Sequence, residues 1–297
     1  KEKIVLDHFN LSLEKGDVLG LLGPNGCGKT TSIMCILSLL KYDSGNIEVF
    51  GKKDIQNEYG IKRKIGIVPQ ELAVFENLNV RENIDYFCGL YVQNKNERKR
   101  LVNEAIEFTG LQSHEKMLQK KLSGGLKRRL NIACGISHKP ELVILDEPTV
   151  AVDAQSRKFI LDGIKNLADN GASILYTTHY LDEAEYLCNK ISIMDNGKNI
   201  LTGDMQTLIN GVSVKEKITV VGYIKPEIIS ILENQDDVVD VEVKENQVTL
   251  NYSNDVGNIK KLIYLLDDNN VVYEEIFSKK PKLEDIFLEM TGKELRE

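Results

Sequence analysis

The chain has 297 residues, 42% hydrophobic and 28% charged, a make-up that predicts a soluble globular protein of one large domain or two smaller ones. No apolar run approaches the ~18 residues that span a bilayer, and Lys1-Glu2-Lys3-Ile4 opens no signal peptide, so the polypeptide is not expected to cross a membrane by itself. Residues 1–211 carry 27 basic and 27 acidic side chains and residues 212–297 carry 11 and 18, so the whole net charge of −7 lies past residue 211, a field that disfavours nucleic acid and anionic lipid.

Val18-Leu19-Gly20-Leu21-Leu22 is a short apolar run that predicts a buried parallel strand. A helix is expected from Thr30 to Leu40, and another strand over Lys64-Ile65-Gly66-Ile67-Val68. Residues 76–138 read as helices, with the charged stretch Asn94 to Arg100 among them. That stretch lacks interleaved aromatics and reads as a solvated helix face rather than a nucleic-acid site. Strands return at Leu142–Leu145 and Ser173–Thr178. This order predicts an α/β domain over 1–211 with a mostly helical insertion at about 76–138. Past Gly211 the pattern becomes strand 216–222, helix 226–234, strands 237–243 and 247–252, helix 256–268 and strand 271–277. That βαββαβ order predicts a small ferredoxin-like or similar α+β domain over 212–297. A short last helix, Leu283 to Thr291, follows Pro281.

Gly23-Pro24-Asn25-Gly26-Cys27-Gly28-Lys29-Thr30 follows the first strand and opens the first helix, with Thr31 next on it. This is the P-loop context: glycines let backbone N–H groups curl around phosphate oxygens, and the helix N-terminus adds its positive end. Lys29 supplies a charge to the β and γ phosphates of ATP, and the Thr30 hydroxyl can ligate Mg²⁺. Alone, the loop leaves kinase, GTPase and transporter open. Asp146 emerges from the strand Leu142–Leu145, placed to hold Mg²⁺, and Glu147 follows it, placed to orient or deprotonate a water. Ser123-Gly124-Gly125 opens a basic helix and makes a second N-terminal anion site.

P-loop, Leu122-Ser123-Gly124-Gly125 and Asp146-Glu147-Pro148, in that order, resemble an ABC ATPase. The resemblance covers essentially the whole chain. It implies a RecA-like core with a helical subdomain and a head-to-tail dimer, homodimer or pseudo-symmetric heterodimer. In such a dimer Ser123-Gly124-Gly125 of one subunit closes over the γ-phosphate on the other's P-loop. Gln70, in Ile67-Val68-Pro69-Gln70-Glu71, matches the Q-loop glutamine, implied to contact Mg²⁺ and water. Asp153 matches the D-loop aspartate, and His179 matches the histidine that contacts the γ-phosphate. The other histidines, His8, His114 and His138, match nothing. Tyr176 to Glu185 and the ending Leu283 to Gly292 resemble bacterial multidrug and antibiotic export ATPases, whose permeases are separate chains. That implies an integral membrane permease as partner, a peripheral place on the cytoplasmic face of the membrane, and export. It also implies an accessory role for the acidic second domain. Ribosome-acting members carry two cassettes per chain and DNA-acting members insert coiled coils or zinc modules, which weighs against a soluble ABC role.

Three positions depart from the family pattern. Leu126 replaces the usual Gln or Met after the signature, and Ala151-Val152 replaces Gly-Leu in the D-loop. The aromatic that stacks on adenine falls at or before Lys1, so the domain is expected to begin upstream of this sequence; Phe9 aligns with a strand position instead. Five scattered cysteines (27, 35, 88, 134, 188) without a C-x-x-C pair fit reduced thiols. Cys27 reads as a small space-filling residue of the P-loop, although the helix N-terminus and Lys29 also suggest a lowered thiol pKa and thiol sensitivity.

Overall fold

In the computed structural model, residues 4–53 and 55–292 are described. The chain divides into two compact units, one reaching Thr202 and the other beginning at Gly203.

The first unit opens with β1 (Val18–Leu22), all five residues buried, and α1 (Lys29–Ile36). α1 is shorter than the apolar run Ile36 to Leu40 suggests. Ser38 adopts a φ of 55°, which ends the helix and leaves Leu39 and Leu40 exposed. A small hairpin, β2 (Glu48–Val49) with β3 (Lys52–Lys53), and the single turn α2 (Tyr59–Lys62) lead to β4 (Ile65–Val68).

Three helices then form the inserted layer: α3 (Val80–Gly89), α4 (Lys95–Phe108) and α5 (Gly124–Ile136). Asn79 and Glu82 close a capping box on α3, and Asn94 caps α4, so the sequence supplies its own start signals. Val80, Ile84, Leu101, Val102 and Leu130 recur at helical spacing and share one core. The basic stretch is a solvated face here, with Arg98 paired to Asp85 and Arg100 to Glu104.

The chain returns to the sheet through β5 (Leu142–Asp146), α6 (Ala154–Asp169), β6 (Ser173–Thr178), α7 (Leu181–Leu187), β7 (Lys190–Asp195) and β8 (Lys198–Gly203). The strands lie in the order β4-β5-β6-β1-β7-β8. The pairs β4/β5, β5/β6, β6/β1 and β1/β7 are parallel. Cores on the two faces hold Leu145, Ile160 and Tyr176 on one side and Leu21, Ile33 and Ile144 on the other. Parallel strands buried on both faces explain why these segments read as unbroken apolar runs. β7 and β8 were not anticipated; they meet at an Asn196-Gly197 turn with φ of 47° and 78°.

The parallel arrangement fixes where chemistry can occur. Loops leaving the carboxyl ends of β1, β4, β5 and β6 emerge along one edge, the usual ligand edge of an open α/β sheet.

The second unit contains α8 (Met205–Asn210), β9 (Glu216–Val221), α9 (Pro226–Glu233), β10 (Val238–Lys244), β11 (Gln247–Tyr252), α10 (Asn258–Asp268), β12 (Glu275–Lys279) and α11 (Leu283–Thr291). Its sheet is antiparallel throughout, in the order β10-β11-β9-β12. The βαββαβ reading therefore describes the element order. The last strand starts later than expected, because Asn270 takes a φ of 52° and Val272 stands out in solvent before pairing resumes at Glu275.

Candidate nucleotide site

α1 begins at Lys29, so the first N–H groups of the helix face the preceding loop rather than a partner of their own. Gly28, at a φ of 116°, turns the chain from loop to helix; a Cβ there would meet Leu6 and Met194 carbons at 2.9 and 2.8 Å. Lys29 is buried and its ammonium folds back on the loop, donating to Gly23 O at 2.7 Å and Pro24 O at 3.3 Å. Pro24, Asn25, Gly26, Cys27 and Gly28 complete the loop between β1 and α1, and Thr30 and Thr31 follow Lys29 in the first turn of the helix.

Asp146 ends β5 and accepts from two hydroxyls, Thr30 Oγ1 at 2.8 Å and Thr177 Oγ1 at 2.6 Å. Glu147 follows with a φ of 46°, a left-handed conformation that costs a non-glycine residue on the order of 1 kcal/mol or more. Thr177 holds it there: the Glu147 N–H reaches Thr177 Oγ1 at 3.0 Å and Thr177 O at 3.1 Å. With this backbone turn the carboxylate lies against Lys29 of the P-loop. Its Oε1 lies 3.4 Å from Lys29 Nζ, with both side chains near 5% exposed. Its Oε2 lies 3.4 Å from Gln70 Nε2 and 3.3 Å from His179 Nδ1. The His179 contact is close without being an aligned hydrogen bond, so that nitrogen keeps its hydrogen-bonding capacity.

Lys29, Gln70 and His179, from three other segments, therefore meet around the Glu147 carboxylate, and Asp146 precedes it in the chain. Ser123, Gly124 and Gly125 take other neighbours. Ser123 caps α5 by accepting from Leu126 N at 3.4 Å, Gly124 faces Ala151 O, and Gly125 sits against Ser156 and Asp153. Asp153 caps α6 through Ser156 N at 2.9 Å, a bond that holds its carboxyl below the usual range.

Three contributors escaped the sequence reading. Arg128 and Asn131 of α5 each donate to Pro69 O at 3.2 Å, and Asn131 Oδ1 accepts from Ala73 N at 3.0 Å, so the signature helix grips both sides of Gln70. Burial lowers the pKa of Arg128, and the negative charge of Glu147 opposes that fall. Thr177 positions both acidic residues. Its only signal was its place at the carboxyl end of a strand beside a P-loop strand. The contacts of Arg128 and Asn131 left no local signal at all.

The lowered thiol pKa suggested for Cys27 is corrected. Burial is the largest influence and pushes this thiol up, outweighing the nearby Lys29. Less thiolate is then present at neutral pH than for a free cysteine. Alkylation of Cys27 by iodoacetamide is expected to be slow at pH 7 and to keep accelerating past pH 9, where a free thiol levels off. Rapid modification at pH 7, read by mass spectrometry, would contradict this.

A phosphate-cradling loop at the carboxyl edge of a parallel sheet, with an acidic pair beside it, defines a P-loop nucleotide-binding protein. The family described as ABC transporter matches residues 6–150. The linearmycin resistance ATP-binding protein LnrL of Bacillus subtilis is 37% identical over 100% of this chain and 96% of its own. A Nod factor export ATP-binding protein I of Sinorhizobium fredii is 30% identical over 100% of this chain and 84% of its own. Among solved structures, the ATP-binding cassette MJ0796, dimeric in a post-hydrolysis state with ADP and Pi, aligns with a TM-score of 0.62 and 25% identity over 68% of this chain and 90% of that one. The chain belongs to the ABC transporter ATP-binding family and is an ATP-binding ATPase.

Proposed function

We propose that this ATPase powers export through separate integral membrane permease subunits, from the cytoplasmic face of a membrane. Full-length similarity to resistance and Nod factor export ATP-binding proteins supports export as the output. We assign the core domain to residues 1–211, with its helical part at about 76–138, and an accessory domain to 212–297.

The observation that carries the assignment of roles is the convergence of Lys29, Gln70 and His179 on the Glu147 carboxylate at the P-loop. Gly23 to Thr31 cradle the ATP phosphates. Lys29 neutralises the β and γ oxygens, Glu147 orients and deprotonates the attacking water, and His179 and Gln70 hold the water and γ-phosphate in line. Thr30, Asp146 and Gln70 offer the hard oxygen donors that suit Mg²⁺, which would balance the charge between the β and γ phosphates. Ser123, Gly124 and Gly125 act on the P-loop of a second subunit, and Asp153 lies beside them at the junction.

Two inactive subunits test this arrangement. Lys29→Ala and Ser123→Arg are each expected to abolish hydrolysis alone. Mixed in equal amounts they regain one intact composite site in each mixed dimer, roughly a quarter of wild-type activity. No recovery, with both proteins folded, would exclude the shared site. Co-purification in detergent with a multi-helix membrane protein tests the permease; a ribosome or DNA recovered in its place would sink the export reading.

A further inference from the structure

We propose that Glu183 is a positioning residue that aims His179 at the nucleotide and ties its motion to the Asp153 turn. The proposal rests on the reading of His179 given above. Glu183 lies on α7, away from the phosphate nest, and its side chain is wholly buried. A buried carboxylate persists only when its oxygens are satisfied. Here three donors from two other elements converge on it. Arg157 Nε of α6 reaches Oε1 at 2.6 Å, and Tyr176 OH and Thr178 Oγ1 of β6 reach Oε2 at 2.7 and 2.8 Å.

Two routes lead from this carboxylate to His179. The first is through the backbone. Thr178 Oγ1 donates to Glu183 and accepts from Tyr180 N–H at 2.9 Å, so one hydroxyl pins the residues on both sides of His179. The second runs through ring faces. Arg157, fixed by Glu183 and by Asp182 at 3.0 Å, lies over the Tyr180 ring at 4.3 Å. The Tyr180 ring in turn packs on the His179 ring, centroids 4.2 Å apart. His179 then faces Glu147 Oε2 at 3.3 Å. The local sequence explains the geometry: Glu183 sits in the first turn of the helix that follows His179, so its side chain reaches back along β6.

Arg157 also connects this cluster to the Asp153 turn. It lies one helical turn past Asp153, and its N–H donates to Asp153 O at 2.8 Å. A shift of the Asp153 turn moves Arg157, and Arg157 grips Glu183 and Tyr180 together. The Asp153 and His179 loops therefore form one mechanical unit within a single chain. Glu183 touches no reacting atom; it works only through His179.

That dependence gives the test. The rate kcat and KM for ATP with Mg²⁺ are measured on the full chain for Glu183→Gln, Arg157→Ala and Tyr180→Ala. Each change is made in the wild-type and in the His179→Ala background, alongside the melting temperature. In the wild-type background kcat is expected to fall roughly ten- to hundredfold, with KM within about threefold of wild type. In the His179→Ala background each change should cost less than about twofold more, because the group it positions is gone. Equal fold losses in both backgrounds, or a lower melting temperature with unchanged kcat, would overturn the proposal. Should Glu183→Gln not fold, the partly exposed Arg157 and Tyr180 variants carry the same comparison. Wild-type turnover in His179→Ala alone would instead remove His179 from its role.

Discussion

Glu147→Gln is expected to bind ATP normally and to hydrolyse it ~10²- to 10⁴-fold more slowly, the usual worth of a positioned general base. The substitution keeps the shape of a side chain held by a left-handed backbone and by Thr177. It removes the charge that Lys29, at 3.4 Å, neutralises. Without nucleotide, Lys29 would keep its bonds to Gly23 O and Pro24 O but lose its buried counter-charge, so the empty protein should melt at a lower temperature. With ATP the γ-phosphate supplies the missing negative charge, and the order should reverse. Bound ATP that is not cleaved should hold two subunits together. Size-exclusion chromatography with ATP would show a dimer for the variant and a mixture for the wild type. Turnover at the wild-type rate would remove Glu147 from its assigned role, whatever the oligomeric state.

The residues of this site were legible because each lies at the end of a strand or in the loop that leaves it. Asp146 and His179 stand at the ends of apolar runs, and Lys29 follows a glycine-rich turn after another. A strand end in a parallel sheet is a fixed address, so sequence order alone places such residues at one edge. What stayed hidden depends on contacts between distant segments. The grip of Arg128 on Pro69 O joins residues 59 apart in sequence, and that of Arg157 on Glu183 joins residues 26 apart. Cys27 shows the limit in another form. The sequence displays the lysine beside it, but burial, which decides the direction of its pKa, is a property of the folded loop. The strands β7 and β8 were recoverable, since Asn196-Gly197 between two alternating runs is a strong hairpin signal. The end of α1 was not, because a non-glycine residue, Ser38, takes the left-handed turn that glycine usually marks.

Gly135→Ala should produce a large loss of stability for one added methyl group. A Cβ on Gly135 would lie 2.5 Å from Ile67 O and 2.8 Å from Val68 Cγ2. On the facing strand, a Cβ on Gly66 would lie 2.4 Å from Gly135 O. Two backbones touch here, and neither can rotate away as a flexible side chain would. One of them must shift, at a cost of about 1–3 kcal/mol or somewhat more. At roughly 2–4 °C per kcal/mol for a domain of this size, the melting temperature should fall by several degrees. Function should suffer as well, because this close approach is what lets Arg128 and Asn131 of α5 reach Pro69 O beside Gln70. Turnover should therefore fall even below the melting range. Gly163→Ala is the matched control. It lies within α6, and its Cβ would meet the Phe108 ring at an ordinary 3.6 Å. Relief of the helix cost of glycine should leave that variant unchanged or more stable by about 0.5–1 kcal/mol. Equal melting temperatures for the two variants would mean that β4 and α5 tolerate separation, and that Gln70 is held by something other than their contact.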